Sequence, residues 1–123
     1  MFENAVKNRK NILIAGATGS GKTTIANALI GEIKKGRLII IEDTPEITSS
    51  LPNSLNILTC KKMNFQQAVR SALRMRPDRI IVGDIRDGGT ALDLCEAWLA
   101  GHPGGIATIH ASSASETKKG YMT

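Results

Sequence analysis

The chain is poor in aromatic residues, with two Phe, one Trp and one Tyr in 123 positions. Its core must therefore be built from Ile, Leu, Val and Ala, the composition of parallel sheets covered by helices on both faces. The same scarcity leaves the basic residues without a stacking platform for nucleic-acid bases. Only two cysteines are present, too few for a disulfide scaffold and in keeping with a reducing compartment. The longest apolar run, Ile12 to Ala17, is far short of the roughly 20 residues of a membrane span. No charged-then-apolar leader opens the chain. These absences predict a soluble, cytoplasmic α/β protein without a transmembrane segment, and 123 residues suit one domain.

What the chain does carry is charge, unevenly spread. The net value is +5, but residues 1–40 hold seven basic and two acidic side chains, and 41–60 hold three acidic ones. Residues 61–80 are again basic, six against one, and 81–111 acidic, four against one. A smooth basic coat for nucleic acid would not alternate in this way, although two basic surfaces could still fold together, and direct nucleic-acid binding ranks lowest. Alternation suits a site where cations hold an anionic ligand and carboxylates organise a metal beside it. For most individual lysines a solvated helix face is the simpler reading.

Apolar periodicity predicts alternating helices and strands. Phe2, Ala5 and Val6 have helical spacing, followed by a buried strand from Asn11 to Ala15. Ile25, Ala26, Leu29, Ile30 and Ile33 mark one face of a helix that starts at Lys22 and ends at Gly36. Leu38 to Ile41 reads as a second buried strand, residues 44–55 as a loop, and Asn56 to Cys60 as a weaker strand. Phe65, Ala68, Val69, Ala72 and Leu73 make an amphipathic helix stopped by Pro77. A strand from Arg79 to Asp84, a helix carrying Ala91, Leu94, Cys95, Trp98 and Leu99, and a strand from Ile106 to His110 complete the pattern. Such alternation implies a mostly parallel sheet flanked by helices. Cys95 falls on the apolar helix face as a buried thiol; Cys60 has no clear place.

The sharpest motif is Gly16-Ala-Thr-Gly-Ser-Gly-Lys22-Thr23, between a predicted strand and a predicted helix, which fits G-x-x-x-x-G-K-[ST]. Gly16, Gly19 and Gly21 let the backbone wrap around phosphate oxygens. The N–H groups of Thr18, Ser20 and Thr24 belong to the same cradle at the positive helix end. Lys22 is expected to bridge the β- and γ-phosphates and the Thr23 hydroxyl to ligate Mg²⁺. A turn that merely joins strand to helix would not need this spacing. The dinucleotide pattern G-x-G-x-x-G is absent from the turn, and so is the N-K-x-D element of guanine readers. In an open parallel sheet the acids that follow the other strands emerge beside such a loop. Glu42 and Asp84 both do so: Asp84 as a metal-organising acid of the Walker B kind, Glu42 to orient or deprotonate water. His110 ends a strand at the same edge and could report on a γ-phosphate; His102, in a Pro- and Gly-rich turn, is less distinctive.

Taken in order, Gly16–Thr24, Ile41-Glu-Asp-Thr-Pro-Glu46, Leu73-Arg-Met-Arg-Pro-Asp-Arg79, Gly83-Asp-Ile-Arg86 and Gly101-His-Pro-Gly-Gly-Ile-Ala-Thr-Ile-His-Ala111 resemble the secretion-ATPase superfamily. That family serves type II and type IV secretion, pilus dynamics and conjugation. The wording around His110 is similar to the type IV, conjugal-transfer branch, and the zinc-binding cysteines of other branches are missing. The resemblance implies a RecA-like P-loop NTPase domain that hydrolyses ATP with Mg²⁺. It implies Glu42, Asp84 and His110 as catalytic residues, and Gly16, Thr18, Gly19, Ser20, Gly21, Lys22, Thr23 and Thr24 around the nucleotide. Thr23 and Asp84 would face the metal. Arg74, Arg76, Arg79 and Arg86 stand where the family contacts nucleotide or neighbouring subunits, with helix-surface or ion-pair roles equally open for each. Homo-hexamers and inner-membrane secretion components are the implied partners, at the cytoplasmic face of that membrane. The chain departs from the family in having Asp84 where Glu is usual, and no Glu ahead of Ala91. It also lacks the separate N-terminal domain and the helical region after the His box. Residues 1–123 are accordingly expected to be one truncated motor domain, either active or a nucleotide-binding remnant with poor turnover.

Overall fold

A computed structural model of the chain describes residues 2–17, 21–85 and 88–110. Nine elements follow one another: α1 (Phe2–Lys7), β1 (Ile12–Gly16), α2 (Lys22–Gly31), β2 (Leu38–Glu42), β3 (Ser54–Leu58), α3 (Phe65–Leu73), β4 (Arg79–Ile85), α4 (Gly88–Leu99) and β5 (Ile106–His110). The five strands form one sheet in the order β1-β5-β4-β2-β3, and every neighbouring pair is parallel. The expected α/β architecture is therefore met. All strand carboxyl ends lie along one edge of the sheet, because no strand runs against the others.

Two apolar layers hold the sheet between helices. On one face Leu38, Ile40, Ile81 and Ile106 pack against Val6 of α1 and Ala26, Leu29 and Ile30 of α2. On the other, Ile39, Ile41, Ile80, Val82, Ala107 and Ile109 pack against Ala68, Val69 and Ala72 of α3 and Leu94, Ala97 and Trp98 of α4. Strand β2, with all five residues buried, needs apolar side chains on both faces, which explains its unbroken Leu-Ile-Ile-Ile run. Each fully buried Ile contributes about 1.5–3 kcal/mol of transfer free energy. Helix α3 begins with a reciprocal cap: the Gln67 N–H donates to Asn64 Oδ1, and the Asn64 N–H to Gln67 Oε1, both at 2.9 Å.

Several boundaries differ from the sequence expectation for physical reasons. Helix α2 ends at Gly31, not Gly36, because the Glu32 and Ile33 N–H groups bond three residues back, to Leu29 and Ile30, in a tightened last turn. Ile33 remains buried beyond the helix. Gly36, at φ 110°, serves the turn into β2. Strand β3 pairs from Leu38↔Ser54 to Glu42↔Leu58, two residues earlier than predicted, and Cys60 forms an antiparallel bridge to Met63 instead. Ile25 and Leu99, both assigned to buried helix faces, are 44% and 88% exposed. Each lies at the flank of a stripe already filled, by Ala26, Leu29 and Ile30 in α2 and by Leu94, Ala97 and Trp98 in α4.

Candidate functional site

Helix α2 starts with Gly21 at φ 89° and has no side-chain cap. Gly21 brings no side-chain oxygen to the first backbone N–H groups of the helix, the arrangement an anion fills. The helix start opens into a cleft of about 440 Å³ lined by Gly21, Lys22, Thr23, Thr24 and, across it, Glu42, Glu46, Asp84 and Thr108. Of the residues expected to bind phosphate, Gly21, Lys22, Thr23 and Thr24 are in this cleft. Gly16 ends β1 beside it, and Thr18, Gly19 and Ser20 lie outside the described residues, as does Arg86.

The carboxylates come from two strand ends and one loop. Lys22 Nζ is 3.9 Å from Asp84 Oδ1, with side-chain exposures of 13% and 34%. Glu42 is 3% exposed. Its Oε1 accepts the N–H of Glu46 at 3.1 Å and of Ile47 at 2.7 Å, while its buried Oε2 has no hydrogen-bond partner among the described residues. Glu42 therefore ties down the loop after β2. That loop is also held to α2 by Asn27, whose amide donates to the Glu46 carbonyl and whose Oδ1 accepts the Thr48 N–H. The result brings Glu46 Oε2 to 3.0 Å from the Thr23 hydroxyl, which donates to it.

Glu46 and Asn27 were not singled out as site residues from the sequence, and neither was Thr108. The usable signal was spacing: Glu46 is one short turn after Glu42, and Thr108 interrupts an apolar strand with a hydroxyl. The Asp84 N–H donates to Thr108 Oγ1 at 2.6 Å. Strand β5 separates β1 from β4 in the sheet, so Thr108 and His110 sit between the phosphate loop and Asp84. His110 pairs in register with Gly16 and is exposed at the strand end.

The basic blocks do not gather here. Among the described residues, Lys22 is the one basic side chain lining the cleft. Arg79 opens β4 at the opposite, amino edge of the sheet and is 8% exposed. Its guanidinium donates to the Gly104 carbonyl at 3.1 Å and the Val6 carbonyl at 3.0 Å. Burial first, then the nearby Arg9 charge, push its pKa down, partly offset by Asp78. Arg9 donates to the carbonyls of Asp78 and Pro103, and Arg37 to the Met75 carbonyl and the Asn53 side-chain Oδ1. His102 faces the Pro77 carbonyl on the same side. Arg74 and Arg76 follow α3 at that edge and are exposed. The expectation that alternating charge blocks meet at one ligand is thus corrected: helices end at the amino edge, and the cations there satisfy terminal carbonyls.

The donor set is hard oxygen, a hydroxyl and three carboxylates, which suits Mg²⁺. No group of three or more His, Cys, Asp or Glu side chains among the described residues is arranged to hold a metal alone.

The family model for type II/IV secretion system protein matches residues 1–119. The chain is similar to the conjugal transfer protein TrbB of Rhizobium radiobacter, 49% identical over 117 residues covering 92% of this chain and 36% of the relative. It is equally similar to the type IV secretion system protein VirB11 of Bartonella quintana, 49% over 120 residues, 92% of this chain and 33% of the relative. The chain thus spans about a third of the length of these curated relatives. Its fold matches the crystal structure of the VirB11 ATPase from the Brucella suis type IV secretion system in complex with sulphate. The TM-score is 0.89 at 38% identity, covering 96% of this chain and 35% of that one.

Proposed function

The chain belongs to the type II/IV secretion system protein family, and from that premise we propose that its cleft binds ATP with Mg²⁺ and hydrolyses the γ-phosphate as part of a secretion or conjugal-transfer motor. The observation that carries this reading is one cleft in which Lys22, Thr23 and the uncapped start of α2 face Glu42, Glu46 and Asp84. The anion-binding elements and the acids line the same cleft, so positioning and charge stabilisation of a phosphoryl group can be supplied in one place.

Lys22, already paired at long range with Asp84, neutralises charge on the terminal phosphates. Thr23, whose hydroxyl donates to Glu46, and Asp84 are the residues that would hold the metal. When bound, Mg²⁺ draws charge from the phosphate oxygens and favours departure of the leaving group. Glu42 presents a buried carboxylate oxygen with no partner among the described residues, suited to orient a water and accept its proton. His110, between the phosphate loop and β4, is the residue proposed to sense the γ-phosphate.

A second reading has its own support. Lys22 is the one described cation in the cleft, so the remaining charge on a transferring phosphoryl group needs neutralisation from elsewhere. A neighbouring subunit of a homo-hexamer would supply it, and the isolated chain would then bind nucleotide with little turnover. No described helix is long and apolar enough to cross a membrane; contact with inner-membrane secretion components is proposed from the family.

ATPase rate measured against protein concentration tests both readings. Specific activity rising steeply with concentration supports ring assembly, whereas binding without turnover at any concentration supports the remnant. Lys22→Ala is expected to abolish binding and turnover together. Glu42→Gln should keep binding and slow hydrolysis at least ~100-fold, the usual scale for a lost general base. Normal steady-state rates in both variants would refute the site.

A further inference from the structure

Strand β4 changes phase at its end. Val82 pairs with Ala107 and Ile85 with Ile109, so Gly83 and Asp84 together oppose the single residue Thr108. This is a β-bulge, in which one residue on the longer side loses its place in the ladder and the strand is re-aimed. Side chains of an unbroken strand alternate between faces. Ile80 and Val82 point into the layer packed by α3 and α4, so without the bulge Asp84 would follow them there. With it, Ile85 takes that buried position at 3% exposure, and Asp84 turns to line the cleft.

The turned residue adopts a conformation that needs support. Asp84 has φ 64°, in the left-handed region that a side chain other than glycine's rarely enters. Its N–H donates to Thr108 Oγ1 at 2.6 Å, and Thr108 is 5% exposed on a strand between its two neighbours. A hydroxyl on a short stem can reach across to a backbone N–H, and the β-branched form fits a central strand. Gly83, the other bulge residue, faces Glu42, and an added Cβ would lie 3.3 Å from Glu42 Cγ and 3.4 Å from Ile47 Cδ1. The bulge is thus enclosed on both sides, by Glu42 and by Thr108.

We propose that Thr108 is the positioning residue for Asp84: its side-chain oxygen replaces the ladder acceptor lost at the bulge and so keeps the Asp84 carboxylate facing Lys22. The proposal rests on the nucleotide-site reading above and adds to it a residue that acts through Asp84.

The test compares the full chain with Thr108→Val, which fills the space without a hydroxyl, and Thr108→Ser, which restores one. Binding of N-methylanthraniloyl-ADP is followed by fluorescence with and without Mg²⁺, and exchange of the Asp84 backbone amide by NMR. In Thr108→Val, the Mg²⁺ concentration for half-maximal enhancement of binding should rise at least ~10-fold, as for lost outer partners of metal ligands. Asp84 amide exchange should accelerate ~10-fold or more, and Thr108→Ser should restore both the Mg²⁺ midpoint and the exchange rate. An unchanged Mg²⁺ midpoint in Thr108→Val, or a defect that Thr108→Ser does not repair, overturns the positioning role. Should Thr108→Val fail to fold, Thr108→Ser alone decides: wild-type Mg²⁺ dependence and Asp84 protection support the role, and loss of either overturns it. Failure of the wild type to bind the probe, or binding by Lys22→Ala as tight as wild type, refutes the nucleotide site itself, a different outcome from either.

Discussion

Replacing Arg79 by Met separates a structural arginine from a nucleotide-binding one. The motif resemblance puts Arg79 among residues used around nucleotide and subunit contacts, whereas its two hydrogen bonds, to Gly104 and Val6 carbonyls, fasten α1 and the turn before β5 to the amino edge of the sheet. Met fills most of the volume but leaves the Gly104 carbonyl without its donor and the Val6 carbonyl with the Arg9 N–H alone. A buried acceptor left unsatisfied costs about 1–3 kcal/mol, and a lost hydrogen bond from a charged donor about 1.5–3 kcal/mol. Against this, removing the guanidinium relieves the desolvation that already depresses its pKa. The balance is a loss of roughly 2–4 kcal/mol. Urea unfolding followed by Trp98, the single tryptophan, reads it as a lower midpoint with an unchanged slope. Trp98 is well placed to report, since it packs closely against Gly105 next to the Arg79-bound carbonyl. Nucleotide affinity of the folded variant should stay within ~2-fold of wild type, because Arg79 and the cleft occupy opposite edges of the sheet. A stability change below about 1 kcal/mol, or a folded variant that has lost nucleotide binding, would refute the assignment.

Two further substitutions test the packing that supports the site. Gly105→Ala would drive a Cβ into Trp98 Nε1 and to 2.6 Å from the Ile80 carbonyl oxygen, both on the inner faces of central elements. The expected loss is about 3 kcal/mol or more, with a shifted Trp98 emission; a wild-type urea midpoint would contradict the close approach. Asn64→Ala removes one half of the reciprocal cap on α3 and should cost about 1 kcal/mol by urea unfolding while leaving the cleft, and nucleotide affinity, unchanged.

Much of the fold was legible because local patterns and tertiary needs agree. Leu38–Ile41 and Arg79–Asp84 read as strands on apolar content alone, and both are central. Helix α3 carried clean amphipathicity and its own cap. Boundaries were less legible where the last residues answer to neighbours. Helix α2 stops at Gly31, and β3 starts at Ser54 because its pairing with β2 starts there. Leu99 obeyed helical spacing yet lies exposed, since Trp98 already fills the buried position beside it.

The amino-acid sequence by itself determined that strands and helices alternate, that the sheet is parallel, and hence that Gly16, Glu42, Asp84 and His110 end strands at a common edge. Parallel strands have no other way to dispose their carboxyl ends. Only the tertiary structure decided which side chains meet there. Glu46 reaches Thr23 because Glu42 and Asn27 hold the intervening loop against α2, and Asp84 faces Lys22 because a bulge opposite Thr108 reverses its side. Arg9, Arg37 and Arg79 lie at the far edge, beyond helix ends, where they donate to carbonyls. Strand direction is written in local periodicity, but a one-residue change of phase, or the reach of a side chain between strands, depends on partners distant in the chain.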